Sequence, residues 1–434
     1  MMVHLLREYV MDRFRGVRWF AWITGVPILW FVFASGISGY WLVWDKLAQY
    51  IAINTTEWLD ALPIFGEPIA RNFLNPATLG SRFFTLMVFL HIAVPLFLLF
   101  VMWIHIQRNA QPKVNPPWGL AAGTLAMLVV LSFVKPAIGQ GPANLDTVPT
   151  HLDLDWFYLA VYPLLDRIPG AVLWMALGAG TLLFLVLPWL PPKRREPVAV
   201  VSLDNCNGCG RCVADCPFNA VVMQPRTDQR PFYEEAVVIP NLCTSCGICV
   251  AACPSSTPFR RIGELVTGID LPQLSLQMLR ETTLAATAKL SGDGRVIVYG
   301  CDPGPALLPL AGPGVAVVSL PCIGMLPPPF LDFLITRKHT DGVFLTGCRE
   351  GDCDQRLGIE WMEERIAGVR DPYLRERVPR DRIGKFWAGI AQSRELREEL
   401  AAFRARLKLL GPLTRERPKD GVGVVAEEVK TQHG

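Results

Sequence analysis

The stretch RFFTLMVFLHIAVPLFLLFVMWIHIQR, residues 82–108, is wholly uncharged between Arg82 and Arg108. Such a run folds as a helix across a bilayer, because a helix satisfies its own backbone groups where water is absent. Three more runs are long enough, or nearly so: Trp19–Trp44, Trp118–Val134 and roughly Pro169–Pro192. The third is short and needs its flanking prolines or a thin site. A hydrophobic share of 51% suits a multi-pass chain, and a net charge of +3 is too small to argue for a nucleic-acid partner. The first apolar run is too long for a signal h-region and no small-residue cleavage site follows it, so no cleaved leader is expected.

Flanking charge sets the orientation. Arg7, Arg13, Arg15 and Arg18 precede the first run, Arg108 and Lys113 follow the second, and PPKRREP follows the fourth. The loops 45–81 and 135–167 are mixed or acidic and are expected outside. Both termini are then cytoplasmic, with the chain in a bacterial or archaeal cytoplasmic membrane.

His91 and His105 share the second run. Fourteen residues is close to four helical turns, so they lie on one face about 21 Å apart along the axis. An ionisable residue inside a span usually has a function, and two so spaced suggest two metal centres, one near each leaflet. The first run has glycines at the same separation, Gly25 and Gly39, and a glycine lets a flat macrocycle approach the backbone closely. The alternative is that the glycines only pack helices and the histidines hydrogen-bond within a bundle.

Residues 19 to about 190 resemble cytochrome b of the bc-type quinol-oxidising complexes, starting from that family's third helix. WITGVPILWFVFASGISGYWLVWDK is similar to the third helix, ALPIFGEP to the loop after it, and RFFTLMVFLHIAVPLFLLFVMWIH to the fourth, haem-ligating helix. HLDLDWFYLAVYPLLDRIP is similar to the quinol-site stretch and the start of the sixth helix. The resemblance implies two b-type haems ligated by His91 and His105. It also places Asp155, in LDWFYL, at the quinol-site glutamate, with His151 nearby. The family's first two helices and their histidine pair are absent. The other histidines, His4, His151, His339 and His433, lie outside the spans. The second axial ligands are expected from a small separate subunit carrying those two helices and two histidines. A homodimer pairing His91 and His105 with their copies, or ligation by Met87 and Met102, are the alternatives.

All 12 cysteines lie at or after residue 206. CNGCGRCVADCP (206–217) and CTSCGICVAACP (243–254) each read C-x2-C-x2-C-x3-C-P, the pattern of two-cluster bacterial ferredoxins. Cys206, Cys209, Cys212 and Cys253 are assigned to one 4Fe–4S cluster, and Cys243, Cys246, Cys249 and Cys216 to the other. Zinc does not need eight cysteines in this doubled order, and disulfides are not expected in the cytoplasm. The segment between the motifs is expected to form a hairpin.

RVIVYGC, VAVVSLPC and GVFLTGC are short β-branched runs ending in cysteine, alternating with helical stretches at PPFLDFLITRK and QRLGIEWMEERI. This predicts a small parallel α/β sheet whose carboxyl edge gathers Cys301, Cys322 and Cys348, with Cys353 beside them. Four thiolates suit a 2Fe–2S cluster or a zinc; inert buried cysteines are the alternative. Residues 294–400 resemble the delta subunit of methyl-viologen-reducing hydrogenase, which implies the 2Fe–2S cluster and a link to the flavoprotein of heterodisulfide reductase.

The expected fold is multi-domain: a four-span α-helical transmembrane bundle (1–195), a ferredoxin-like α+β domain (196–260), a small parallel α/β domain (290–400), and a helix end with a flexible tail (401–434). The amphipathic helix AQSRELREELAAFRARLKLL is expected to pack on the surface rather than anchor in a membrane. The expected function is the membrane electron-transfer subunit of a quinone-linked oxidoreductase. It would work with a cytoplasmic FAD flavoprotein and with a dehydrogenase or hydrogenase module that carries substrate specificity. Quinone reduction is the expected direction, although quinol oxidation uses the same layout. The alternative is a haem-free anchor that tethers the iron–sulfur part.

Overall fold

The computed structural model describes residues 1–413 apart from 65–67, 70, 71, 73, 76, 191–195, 229 and 257–264. Part of ALPIFGEP, most of PPKRREP, and the tail with His433 therefore lie outside the described residues. The chain divides into two compact units: Met1–Val198 with Cys216–Val222 and Val238–Thr244, and Ala199–Asp215 with Met223–Val237 and Ser245–Gly434.

The first unit is helical: α1 Met2–Val10, α2 Trp19–Val43, α3 Lys46–Asp60, α4 Ser81–Ile106, α5 Trp118–Val134, the short α6 Tyr162–Leu165, and α7 Gly170–Val186. Gly16–Val43, Ser81–Ile106 and Gly170–Trp189 are long and apolar enough to cross a membrane. The remaining apolar helix, α5, has 17 residues, as short as its sequence indicates. Only Phe83 of α4 is buried, and no residue of α5 is. Apolar helices with so little covered surface find their burial in hydrocarbon or against partner helices. Helix α2 is the centre of the bundle, packing against α4, α3 and α7.

The stretch after Trp44, read as loop, opens with helix α3 instead. Trp44 turns left-handed (φ 50°), and Asp45 then caps the helix, accepting from the Ala48 N–H at 2.8 Å. Leu47 and Ile51 of α3 pack in one core with Leu159 and Tyr162. Buried Gln49 donates to the Asn144 and Thr147 carbonyls at 2.8 Å and accepts from the Asn144 N–H. The segments after α2 and after α5 are thus laced together, which fixes where residues 150–160 run.

The second unit holds, in chain order, β1 Val200–Val201, α8 Arg211–Asp215, β2 Val221–Pro225, β3 Glu234–Val238, α9 Ile248–Ala252, β4 Ile269–Asp270 and α10 Leu276–Thr287. The unit boundary passes through β2 and β3. Strands β1 and β4 pair antiparallel, and β2 pairs with β3 as the expected hairpin between the cysteine motifs. After them come β5 Val296–Cys301, β6 Val315–Leu320, α11 Pro328–Thr336, β7 Gly342–Thr346, α12 Gly358–Ala367, β8 Ile383–Phe386 and α13 Ser393–Leu410. Strands β5 to β8 form one parallel sheet in the order β6-β5-β7-β8. Helix α13 buries Leu396, Leu400, Phe403 and Leu407 in one core with Val296, Val298 and Phe344. That i, i+4, i+7, i+11 stripe ties the helix to the sheet through residue 407, so the α/β unit continues well past residue 400.

Candidate functional site

Helices α2 and α4 bring each histidine onto one glycine. A Cβ placed on Gly25 would lie 3.4 Å from His105 Cε1, and one on Gly39 would lie 3.0 Å from His91 Cε1. The residue before each glycine fixes the ring. Thr24 Oγ1 is 2.9 Å from His105 Nδ1, and Ser38 Oγ is 3.0 Å from His91 Nδ1. With Nδ1 engaged, Nε2 is the nitrogen a metal would take. The two half-sites repeat one pattern, hydroxyl–glycine on α2 and histidine on α4, and their donors suit haem iron. Thr24 and Ser38 were missed in the sequence, yet their signal is there: the dipeptides Thr24-Gly25 and Ser38-Gly39 recur at the same fourteen-residue pitch.

Asp155 is held at the C-terminal end of α2. The Tyr40 hydroxyl donates to Asp155 Oδ2 at 2.8 Å, and the Phe157 and Tyr158 N–H groups donate to Oδ1 at 2.7 and 3.4 Å. Burial pushes the carboxyl up, but these hydrogen bonds outweigh it and leave Asp155 below the ordinary carboxylate range. The aromatic ring of Tyr158 lies against Gly36, and Phe157 stacks on Phe33 at 5.6 Å. His151 is exposed and, among the described residues, makes no hydrogen bond to Asp155. Tyr40 is a third residue, after Thr24 and Ser38, that the sequence does not single out.

None of the twelve cysteines forms a disulfide. Cys206, Cys209, Cys212 and Cys253 line one cavity, shared with Gly208, Met223 and Ile269. Those are the four cysteines that the doubled motif groups together, and a cavity walled by four thiols and apolar side chains fits a cubane. Burial, followed by its three cysteine neighbours, pushes the Cys212 thiol up to about 12; metal ligation would have to displace that proton. The other four are split between the units. Within the first unit, Cys216 and Cys243 are close enough to act on each other electrostatically. There the Ala110 N–H, in the loop after α4, donates to the Pro217 carbonyl at 3.1 Å, and the Arg18 guanidinium stands 5.7 Å from the Phe218 ring centre. Cys246 and Cys249 belong to the second unit.

At the sheet's carboxyl edge, Cys301 ends β5, while Cys322 and Cys348 stand two residues beyond β6 and β7. With Cys353 they stand close enough to shift one another's protonation. Hydrogen bonds from Cys322 and Cys348 hold Cys301 and Cys353 well below the usual thiol range, and those same bonds raise Cys322 and Cys348. The Ile323 N–H donates to Cys301 Sγ at 3.1 Å and the Asp354 N–H to Cys348 Sγ at 3.5 Å. Such N–H···S bonds tune iron–sulfur clusters. Among the described residues, no three His, Cys, Asp or Glu side chains are arranged to hold a single ion. Four soft donors beside α/β strand ends fit a thiolate-bound cluster.

Comparison with known proteins gives three successive matches. Residues 1–138 match the family described as cytochrome b (N-terminal)/b6/petB, residues 205–257 the 4Fe-4S dicluster domain, and residues 311–411 the delta subunit of methyl-viologen-reducing hydrogenase. The chain is 28% identical over 228 residues to cytochrome b of Rhodospirillum rubrum, covering 44% of this chain and 54% of that one. It is 25% identical to cytochrome b/c1 of Bradyrhizobium diazoefficiens, over 43% of this chain and 31% of that one. The chain thus spans about half the length of the first relative and about a third of the second. A chain of the solved "Hyperthermophilic respiratory Complex III" is 24% identical, with a TM-score of 0.32, over 44% of this chain and 58% of that one. The chain is therefore a cytochrome b-like membrane region followed by a 4Fe-4S dicluster region and a hydrogenase delta-subunit-like region, in that order.

Proposed function

We propose that this chain is the membrane electron-transfer subunit of a quinone-linked oxidoreductase, working between a cytoplasmic flavoprotein of heterodisulfide reductase type and the quinone pool. The observation that carries the reading is the repeated half-site, Thr24-Gly25 against His105 and Ser38-Gly39 against His91, in one chain with twelve undisulfided cysteines. Haems and clusters, when bound, supply one-electron carriage. The chain's own residues give that carriage its positions. His91 and His105 each offer Nε2 while a hydroxyl holds Nδ1. Cys206, Cys209, Cys212 and Cys253 hold one 4Fe–4S cluster, Cys216, Cys243, Cys246 and Cys249 the second, and Cys301, Cys322, Cys348 and Cys353 a 2Fe–2S cluster.

Asp155 is assigned to the quinone site near the outer face. Its carboxylate is ionised at rest and already accepts from Tyr40, so it takes up a proton more readily when that hydroxyl turns to another acceptor. A quinone oxygen is such an acceptor. The second axial ligands come from a small membrane subunit with two histidines, for which the exposed apolar side chains of α4, among them Phe89, Leu96, Phe100 and Trp103, leave room. The iron–sulfur part and both termini lie in the cytoplasm, on the side of Arg7, Arg13, Arg15 and Arg18.

The test is a reduced-minus-oxidised spectrum of the purified complex, with EPR of the same sample. Two b-type absorptions together with cubane and 2Fe–2S signals are expected. Absence of any b-type absorption would leave the chain a haem-free anchor for its iron–sulfur part.

A further inference from the structure

Arg365 on α12 is fully buried, and its charge lies between two of the assigned centres. Its Nη2 donates to Asp215 Oδ2 at 2.5 Å and its Nη1 to the Gly324 carbonyl at 2.9 Å. Asp215 immediately precedes the cluster ligand Cys216, and Gly324 lies two residues past Cys322. Arg365 Nε is buried with no hydrogen-bond partner among the described residues. Cys322 is near enough to act on the guanidinium electrostatically. Around this cation the two regions interlock. Cys246, Ile248, Cys322, Leu357 and Trp361 share one buried core. A Cβ on Gly247 would fall 2.7 Å from Met325, so that backbone and the loop after Cys322 are in direct contact.

A buried, unscreened cation is costly unless it answers a negative charge. Asp215 supplies one, but Asp215 also binds Arg370 Nη1 at 2.6 Å. Arg370 Nε also binds Glu364 Oε2 at 2.6 Å, so the four charges balance, and Arg365 is the cation of the set that acts on Cys322. A cluster bound by four thiolates is anionic, and gains one more negative charge on reduction. Nearby charge is one of the levers on a cluster's potential.

We propose that Arg365 is a positioning residue that raises the reduction potential of the four-cysteine centre and seats it against the cubane served by Cys246 and Cys249. In a transfer between them, one electron would leave one centre, oxidising it by one, and enter the other, reducing it by one. No bond forms or breaks and no proton moves, since the guanidinium keeps its proton at every accessible pH. The inference rests on the reading of Cys301, Cys322, Cys348 and Cys353 as a 2Fe–2S ligand set.

The test is an EPR-monitored redox titration of the full chain in its complex. The Cys206–Cys253 cubane serves as internal reference. Arg365→Met is expected to lower the midpoint of the four-cysteine centre relative to that cubane. The shift corresponds to about tenfold in their electron equilibrium, or ~59 mV for one electron. Arg365→Lys, which keeps the charge, is expected to stay nearer the wild type. An assembled centre with an unchanged midpoint in Arg365→Met, or equal shifts in both variants, overturns the inference. If Arg365→Met fails to assemble, Asp215→Asn decides. It removes the countercharge and is expected to move the midpoint up, and an unmoved or lowered midpoint overturns the inference. A wild-type complex without a 2Fe–2S signal would instead bring down the underlying reading, and this inference with it, before any variant is made.

Discussion

The Tyr40 hydroxyl donates a hydrogen bond to Asp155 Oδ2 across 2.8 Å, joining the C-terminal end of α2 to the loop that carries Asp155. It is one of three donors to that carboxylate.

The first prediction concerns that pair. The folded-state pKa of Asp155 is depressed. Its hydrogen bonds therefore stabilise the loop fully above the ordinary carboxylate value of about 3.9, and their contribution is lost as pH falls through the lower folded value. Tyr40→Phe removes one donor, so the carboxyl should protonate at higher pH than in the wild type. An infrared titration of the protonated carboxyl band reads this directly. An unmoved band would mean that the two backbone donors alone hold the charge.

The two glycine seats should differ in tolerance. At Gly25 a methyl group would meet His105 at ordinary contact distance, 3.4 Å, whereas at Gly39 it would press on His91 at 3.0 Å. Gly25→Ala should keep both b-type absorptions. Gly39→Val should weaken or shift the one served by His91 and spare the other. Low-temperature difference spectra of the two variants test the contrast.

Cys322→Ser removes one of the four thiols at the sheet edge. The 2Fe–2S EPR signal should disappear, and both cubane signals should remain. Loss of a cubane signal in this variant would place Cys322 in the wrong ligand set.

Trp361 is 1% exposed. It donates Nε1 to the Asp215 carbonyl at 3.1 Å, and the Arg370 guanidinium lies 3.4 Å over its ring. Trp361→Ala deletes a core side chain, a buried hydrogen bond and a cation–π contact, at a cost of about 3–5 kcal/mol. The iron–sulfur part of the full chain should become protease-sensitive at lower urea than in the wild type. Trp361→Phe should fall between the two.

Much of this architecture is legible in the chain itself. Apolar runs flanked by arginine mark the helices of the first unit, because hydrocarbon tolerates so few charges. The doubled cysteine spacing groups Cys206, Cys209, Cys212 and Cys253, the four that line one cavity. Strand runs ending in cysteine place Cys301, Cys322 and Cys348 on one sheet edge, since parallel strands all end on the same side. Helix α3 was harder to read. Its signal is Asp45, a single capping residue, and its apolar face matches segments a hundred residues away.

Local chemistry and periodicity settle which residue types can bind metal and how they are spaced, since these depend only on neighbours in the chain. Which hydroxyl holds which imidazole, which tyrosine answers Asp155, and that Arg365 lies buried between Asp215 and the Gly324 carbonyl depend on contacts between residues 41 to 150 positions apart. No periodicity encodes such pairings. They arise when helices and sheet close on one another and each buried polar group must find a partner from whatever surface the fold brings to it.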